Sequence, residues 1–218
     1  MLWRYGFVCR SDSKTLNFKN QTPETMTFNI KHAERLSRGE LLLRSFFGFI
    51  YIYLPHGFVL LFMGLWGAIL SFISFWIILF TGRYPQSFFE YQVGLIRWQT
   101  RVRARQYNLT DGYPAFGIDS NDEAITVDVP YPESLSRGML IVKLFFGFLF
   151  VLIPHAFVLF FLTIGVLLAV FVGWWIILFT GKLPEGIHNF VVGYLRWSTR
   201  VGLYLGNMTD TYPPFSLD

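Results

Sequence analysis

The sequence predicts an all-α integral membrane protein built from two tandem repeats in the same orientation. The 218 residues are 53% hydrophobic and only 15% charged, whereas an ordinary soluble domain is about 25% charged. Two stretches, 45–81 and 144–180, contain no Lys, Arg, Asp or Glu. About 18 consecutive apolar residues already indicate a membrane helix, so both stretches predict membrane insertion.

The repeat is a duplication without insertions. Leu36-Ser37-Arg38-Gly39 returns as Leu135-Ser136-Arg137-Gly138, and Pro55-His56 returns as Pro154-His155, each at an offset of 99 residues. A long chain with two such copies favours two similar halves over a single mixed domain.

Three segments are predicted from this offset. The first, 1–25, is polar and turn-prone, which is typical of a flexible extension. Because Met26 stands directly before the repeat, the alternative is that translation naturally starts there. Repeat 1 then covers 26–119 and repeat 2 covers 120–218.

Each repeat opens with a short segment of alternating apolar and polar residues, Thr27-Phe28-Asn29-Ile30 and Ile125-Thr126-Val127-Asp128-Val129. This alternation predicts a short extramembrane β-strand. The segments 116–119 and 215–218 are candidate pairing partners. The resulting sheet could form within one chain or between subunits.

Each apolar stretch is predicted to fold as a transmembrane hairpin, about 38–82 in repeat 1 and about 137–181 in repeat 2. A single helix of about 40 residues would measure about 60 Å, twice the roughly 30 Å of the hydrocarbon core. Pro55 and Pro154 are the candidate breaks because proline lacks a backbone donor. A turn near Gly64 is the alternative.

Basic residues flank both stretches and support an even number of crossings, because such residues remain cytoplasmic. The expected topology therefore has four spans, both termini in the cytoplasm and a pseudo-two-fold axis along the membrane normal. These residues are Arg35, Arg38, Arg44, Arg83, Arg97, Arg101, Arg103, Arg105, Arg137, Lys182, Arg196 and Arg200.

An amphipathic helix is predicted after each stretch, about 85–107 and about 184–206, following helix stops at Thr81-Gly82 and Thr180-Gly181. Tryptophan and arginine on such a helix are typical of a cytoplasmic-side interfacial helix in the headgroup layer. The arginines could hold lipid phosphate, line a pore entrance, or anchor the helix by pairing with Asp111 and Asp210. The predicted anchoring residues are Arg97, Trp98, Arg101, Arg196, Trp197 and Arg200.

His56 and His155 are the candidate cofactor ligands. Two symmetry-related imidazoles could bind haem iron or a metal. The alternative is that each histidine satisfies backbone groups freed by the preceding proline, or lies among the outer headgroups. Since no other ligand type surrounds either histidine, we expect no cofactor. Cys9 is the only cysteine, which excludes an internal disulfide and a cysteine-based metal cluster.

Three motifs carry a family resemblance: Leu-Phe-Thr-Gly-Arg/Lys-x-Pro, Val-Gly-x-x-Arg-Trp-x-x-Arg-Val and Thr-Asp-x-Tyr-Pro-x-Phe. Together they resemble the bacterial membrane family catalogued as domain of unknown function 4389, over about 38–119 and 137–218. The resemblance implies a bacterial inner-membrane protein without catalytic residues to transfer. The first copy departs from the second at Ala115 and Gly117.

The expected role is a non-enzymatic oligomeric scaffold or an accessory subunit of a membrane complex. No catalytic triad, glycine-rich phosphate loop or histidine-carboxylate metal motif is present in the sequence. The alternatives are an oligomeric channel or pore, and a haem- or metal-binding redox subunit. The expected partners are a bilayer with anionic headgroups and a second copy or another membrane subunit. Nucleic acid is not expected, since basic residues beside apolar stretches more often set topology.

Overall fold

The computed structural model describes residues 26–218, so the extension predicted at 1–25 lies outside the described residues. The described chain is mainly helical, with one small sheet. In chain order the elements are β1 (Thr27–Ile30), α1 (Arg38–Gly48), a first π-helical segment (Phe49–Tyr53), α2 (Leu54–Thr81), α3 (Gln86–Gln106), β2 (Ile125–Asp128), α4 (Arg137–Gly147), a second π-helical segment (Phe148–Leu152), α5 (Ile153–Thr180) and α6 (Glu185–Leu205).

The hairpin predicted within each apolar stretch is wrong. Instead, Arg38–Thr81 and Arg137–Thr180 are each one continuous helix of 44 residues, uninterrupted at either candidate turn. Pro55 cannot donate a backbone hydrogen bond, and the helix adapts by widening into the π segment just before it. The widening is visible where Leu54 donates its N–H to the carbonyl of Phe49, five residues back. Repeat 2 passes its proline in the same way.

The chain reverses direction at the two helix stops that the sequence predicts. Gly82 and Gly181 have φ values of +73° and +72°, a left-handed conformation that favours glycine. After these glycines α3 packs back along α2, and α6 packs back along α5. The hairpin of each repeat therefore joins the long helix to the amphipathic helix.

The two long helices run antiparallel. The Leu36 N–H donates to the Gly181 carbonyl, and the Leu135 N–H donates to the Gly82 carbonyl, each at 2.8 Å. The start of each long helix thus lies beside the end of the other. In agreement, α1 packs against α5 and α4 packs against α2.

The predicted strands pair with each other within the chain. β1 and β2 form a two-stranded antiparallel sheet with Phe28 opposite Val127. β1 packs against α6, whereas β2 packs against α3. Each repeat therefore contributes its strand to the other repeat, which ties the two halves into one core.

The pairing predicted for 116–119 and 215–218 is wrong, since neither segment is a strand. Both segments lie directly on the amphipathic helices. A Cβ added at Gly94 would come within 2.9 Å of Ile118, and one added at Gly193 would come within 2.7 Å of Leu217. Because Gly94 and Gly193 have no side chain, these closing segments pack directly against the helix backbone. The segments are therefore not free to extend the sheet.

The molecule has two layers. The inner layer consists of α3, α6 and the sheet, and it forms the core together with the connecting segments and the buried side of the long helices. The outer layer consists of the two long helices, which are long and apolar enough to cross a membrane. The most apolar window of the first long helix is only 17% buried, and that of the second is 11% buried. The buried positions of the first form one stripe at a spacing of mostly three or four residues: Leu41, Arg44, Gly48, Ile52, His56, Gly67, Leu70, Ser74 and Ile78.

Candidate functional site

A histidine enclosed by aromatic rings lies at the start of α2. His56 is fully buried, and its Nδ1 accepts a hydrogen bond of 2.8 Å from the indole N–H of Trp98 on α3. The rings of Tyr113 and Phe116, from the segment after α3, lie 5.1 and 4.7 Å from the imidazole. We call this set the first histidine cage.

Repeat 2 builds a second histidine cage from the equivalent residues. The Trp197 indole donates to Nδ1 of His155 at 3.0 Å. Phe215 stacks on the imidazole at 4.0 Å between ring centroids, and the Tyr212 hydroxyl lies 3.2 Å from Nε2. The first cage differs here, because Nε2 of His56 is buried without a hydrogen-bond partner.

The hydrogen bonds define the protonation of both histidines. An indole nitrogen can only donate, so Nδ1 must be the acceptor and Nε2 must carry the proton of a neutral ring. Ligation of iron or a metal through Nε2 would first require loss of that proton or of the tryptophan bond. In addition, the ring contacts of His56 and His155 are all with residues of their own repeat. The arrangement favours a structural role, with an indole as the partner that the sequence did not reveal.

A buried cation lies in the helix that precedes each cage. The side chain of Arg44 is only 4% exposed, and its guanidinium lies 3.2 Å from Asp111 and donates to the Thr110 carbonyl at 2.7 Å. The second carboxylate oxygen of Asp111 accepts the N–H of Ser37, the N-cap residue of α1, at 2.6 Å. One carboxylate therefore both caps α1 and neutralises its arginine.

The same contacts recur in repeat 2 with lysine in place of arginine. Lys143 lies 3.3 Å from Asp210 and donates to the Thr209 carbonyl at 2.7 Å. Asp210 accepts the Ser136 N–H at 2.6 Å. The pairing of Asp111 and Asp210 with the arginines of the amphipathic helices, expected from the sequence, is therefore wrong.

The predicted headgroup-anchoring residues have other contacts. Trp98 and Trp197 lie inside the cages, which contradicts their expected place at the headgroup layer. Arg101 is also buried and donates to the carbonyls of Gly117 and Ser120. Burial lowers the pKa of this guanidinium from its ordinary value. These three side chains hold the closing segments and the long helices, and they are withdrawn from any lipid surface.

The other predicted anchoring residues keep part of their surface. Arg97 donates to the Val127 carbonyl and pairs with Asp128 at 3.2 Å, with 42% of its side chain exposed. Arg196 donates to the carbonyls of Phe28 and Leu217, at 3.1 and 2.9 Å. Arg200 donates to the Ser216 carbonyl. All three join an amphipathic helix to the sheet or to a closing segment.

Sequence reasoning missed the two buried ion pairs at the starts of the long helices. The 99-residue offset contains the signal, because a basic residue recurs at 44 and 143 and an aspartate recurs at 111 and 210. It also missed the ion pair of Arg105 with Asp122, 2.6 Å apart and nearly buried. That pair has no equivalent basic residue in repeat 2, where Tyr204 takes the place of Arg105, so the offset could not indicate it.

Comparison with protein families finds one family whose model matches this chain. The model of the family described as Domain of unknown function (DUF4389) matches residues 42–117 and 142–216, together more than half of the chain. No curated protein and no solved structure matches. Each matched range contains nearly all of the long helix, together with the amphipathic helix and the caged histidine of one repeat. The chain therefore belongs to the DUF4389 family and carries two tandem copies of its domain.

Proposed function

We propose that this protein is an integral protein of the bacterial inner membrane that acts as a non-enzymatic scaffold or accessory subunit of a membrane complex. The observation that carries the proposal is the continuous apolar face of the two long helices. Phenylalanine, tryptophan and leucine side chains remain exposed along their whole length, among them Phe46, Phe58 and Phe72, each at least 65% exposed. An exposed apolar face of this extent is typical of a membrane or protein contact.

The length of the two long helices supports a placement of both along the membrane plane. A continuous helix of 44 residues measures about 66 Å, more than twice the roughly 30 Å hydrocarbon core. Spanning would demand a tilt well beyond the usual range of about 0–40°. The in-plane placement keeps the pseudo-two-fold axis along the membrane normal and replaces the four-span topology expected from the flanking charges.

The charges of α3 support the same placement. Tyr91 and Gln92 bond to the carbonyls of Met63 and Gly67, so α3 lies beside the middle of α2. On the same helix Glu90 and Arg103 are exposed. If α2 crossed the bilayer, these charges would enter hydrocarbon at a cost of about 2.5–3.5 kcal/mol each. With α2 in the plane of the cytoplasmic leaflet, the inner layer and both described chain ends lie in the cytoplasm.

The buried polar groups support a structural role over a catalytic one. In both repeats the hydrogen bonds of the caged histidines and of the buried cations connect separate elements of the fold. Within 26–218 no group of three or more His, Cys, Asp or Glu side chains is placed to hold a metal. No observation on these residues specifically favours the pore or the haem-binding alternative.

Depth measurements in vesicles test the membrane placement. In a Cys9→Ser background, single cysteines at 46, 58 and 72 carry a spin label, and a cysteine at 103 serves as the water-exposed control. We expect similar shallow depths at the first three positions and free access of aqueous relaxant at 103. Depths that pass through the bilayer centre between 46 and 72 would show a spanning helix and contradict the placement.

Purification in mild detergent tests the scaffold role. We expect the protein to leave the membrane only with detergent and to purify as a fixed oligomer or with a fixed partner. Release by high salt or alkaline carbonate alone would contradict membrane integration. Ion conduction by the purified protein in planar bilayers, whatever its oligomeric state, would replace the scaffold role with a pore.

A further inference from the structure

The arginines of the two amphipathic helices differ in how they are neutralised. Arg97 and Arg196 occupy equivalent places and both donate Nε–H to the strand of the other repeat, at the Val127 and Phe28 carbonyls. Arg97 also pairs with Asp128. The equivalent of Asp128 in β1 is Asn29, which brings no charge to Arg196.

The second arginines of the two pairs, Arg101 and Arg200, resemble each other more closely. Arg101 lies near Asp122, whose charge favours the guanidinium. Neither Arg101 nor Arg200 has a carboxylate within ion-pair distance among residues 26–218, and the Nε of each is buried without a partner. Burial lowers the pKa of Arg200, as does repulsion by Arg196, and the attraction of Asp218 offsets these only in part. The second arginines are therefore neutralised to a similar extent, and the difference between the repeats lies at Arg196, which lacks the ion pair that Arg97 makes.

A cavity opens where this charge is left. It has a volume of about 650 Å³ and lies between the sheet, α6 and the closing segment of repeat 2. Arg196, Arg200, Thr209 and Thr211 supply its donors. Its apolar wall includes Phe28, Val129, Leu203 and Tyr212, and one carboxylate, Asp218, also lines it. The cavity at the Arg97 and Arg101 pair is smaller, about 340 Å³, and two carboxylates, Asp122 and Asp128, line it.

We propose that the cavity of repeat 2 binds a phosphate group that carries an apolar substituent. Guanidinium groups present several donors in a fixed fork that matches phosphate oxygens. Two guanidinium groups beside threonine hydroxyls can together bind a phosphate dianion. The apolar wall accommodates the substituent, and a cavity of this size is typical of a small-molecule site. The phosphate belongs either to an anionic lipid headgroup or to a soluble phosphate ester. The site stands on the cavity alone and does not require the scaffold role.

The test measures binding of two probes to the full chain in an uncharged detergent. Dioctanoyl phosphatidic acid represents the lipid source, and phenyl phosphate represents a soluble ester with an apolar substituent. Asn29→Asp installs the carboxylate that neutralises the equivalent arginine in repeat 1, so it removes the excess charge while every arginine remains. Arg200→Gln removes one donor. Arg97→Gln, which removes an arginine of the repeat 1 pair, is the control.

We expect the wild type to bind phosphatidic acid, and each repeat 2 variant to bind it about tenfold more weakly, as loss of one charge-assisted contact implies. Arg97→Gln should bind as the wild type does. Comparable binding of phenyl phosphate would identify a soluble ester as the source, and binding of the lipid alone would identify the headgroup. The proposal is overturned if the wild type binds neither probe, or if Asn29→Asp and Arg200→Gln both bind with unchanged affinity. Asn29→Asp should leave membrane depth and oligomer mass unchanged, which separates this result from failure of the scaffold role.

Discussion

Trp98 donates its indole hydrogen to Nδ1 of His56, and Trp197 does the same to His155, so one side-chain pair fixes the long helix of each repeat to its amphipathic helix. The histidine in each case lies directly after the proline that follows a π segment. A π segment changes the direction in which later side chains project. The tryptophan bond therefore fixes the helix at the point where its register shifts, and both copies retain it.

Replacement of Trp98 by Phe should destabilise the protein. The change leaves Nδ1 of His56 buried without a donor and costs about 1–3 kcal/mol. Thermal unfolding in detergent measures the effect. Trp76→Phe is the control, because Trp76 lies on the outer face with 46% of its surface exposed and should unfold near the wild-type temperature. Equal unfolding temperatures for Trp98→Phe and the wild type would show that the bond contributes nothing.

Loss of Asp111 should lower the free energy of unfolding more than loss of an exposed aspartate does. Asp111→Ala leaves the charge of Arg44 buried and removes the acceptor at the start of α1, and breaking a buried pair costs about 3–5 kcal/mol. Denaturant unfolding in mixed micelles measures the loss. Asp119→Ala is the control, since Asp119 is exposed and should change stability by less than about 0.5 kcal/mol.

The Arg44→Met, Asp111→Ala double variant tests the cause of that loss. Removing both charges should restore part of the stability lost in Asp111→Ala alone, because the unpaired buried charge is the main cost. The ion-pair explanation is rejected if the double variant loses the sum of the two single losses.

The sequence predicted the elements that local chemistry determines. The strands at Thr27–Ile30 and Ile125–Asp128, the helix stops at Gly82 and Gly181, and the amphipathic helices all occur where alternation, glycine and proline indicate them. Each of these features depends on residues within a few positions of one another, so it is visible without tertiary structure.

The path of the long helices could not be predicted in the same way. Proline in an apolar run indicates a break, but the register shift to π bonding that absorbs Pro55 leaves no pattern in composition or periodicity. The histidine cages could not be predicted for a different reason. His56 and Trp98 are 42 residues apart in the sequence, and only the reversal at Gly82 brings them together. A hairpin inside the apolar stretch leaves the amphipathic helix without a helical partner, so it predicts Trp98 and Arg101 as surface residues.

The glycines under the closing segments should be intolerant of a side chain. Gly193→Ala places a methyl group within 2.7 Å of the Leu217 carbonyl, and overpacking of this kind costs about 1–3 kcal/mol. Gly202→Ala lies on the same helix with no atom within 4 Å of the added carbon, so it should stabilise by up to about 1 kcal/mol through helix propensity. Thermal unfolding compares the two variants. Stabilisation by both would mean that the closing segment of repeat 2 does not rest on α6.

Stability should fall as the solution becomes acidic, and His188 should account for part of the fall. Its imidazole is buried, with the ring centroid 4.9 Å from that of His32. At the 99-residue offset His188 corresponds to Phe89 and His32 to Tyr131, and those two rings meet edge to face at 5.2 Å. Burial lowers the pKa of His188 below its ordinary 6.5, and the charge of His32 lowers it further, although Asn189, the Lys31 backbone and Glu185 oppose the shift.

The sign of this pH dependence follows from proton uptake. As the pH falls through 6.5, the unfolded chain protonates at this position before the folded one does, so the unfolded state is stabilised. Above that pH both states are neutral and the contribution is absent. His188→Phe installs the repeat 1 residue, and the unfolding free energy of this variant should decline less between about pH 8 and pH 5 than that of the wild type. His188→Phe leaves every other titratable residue in place, so the difference between the two slopes reports on position 188 and its contact with His32. Identical slopes would show that His188 titrates normally in the folded protein.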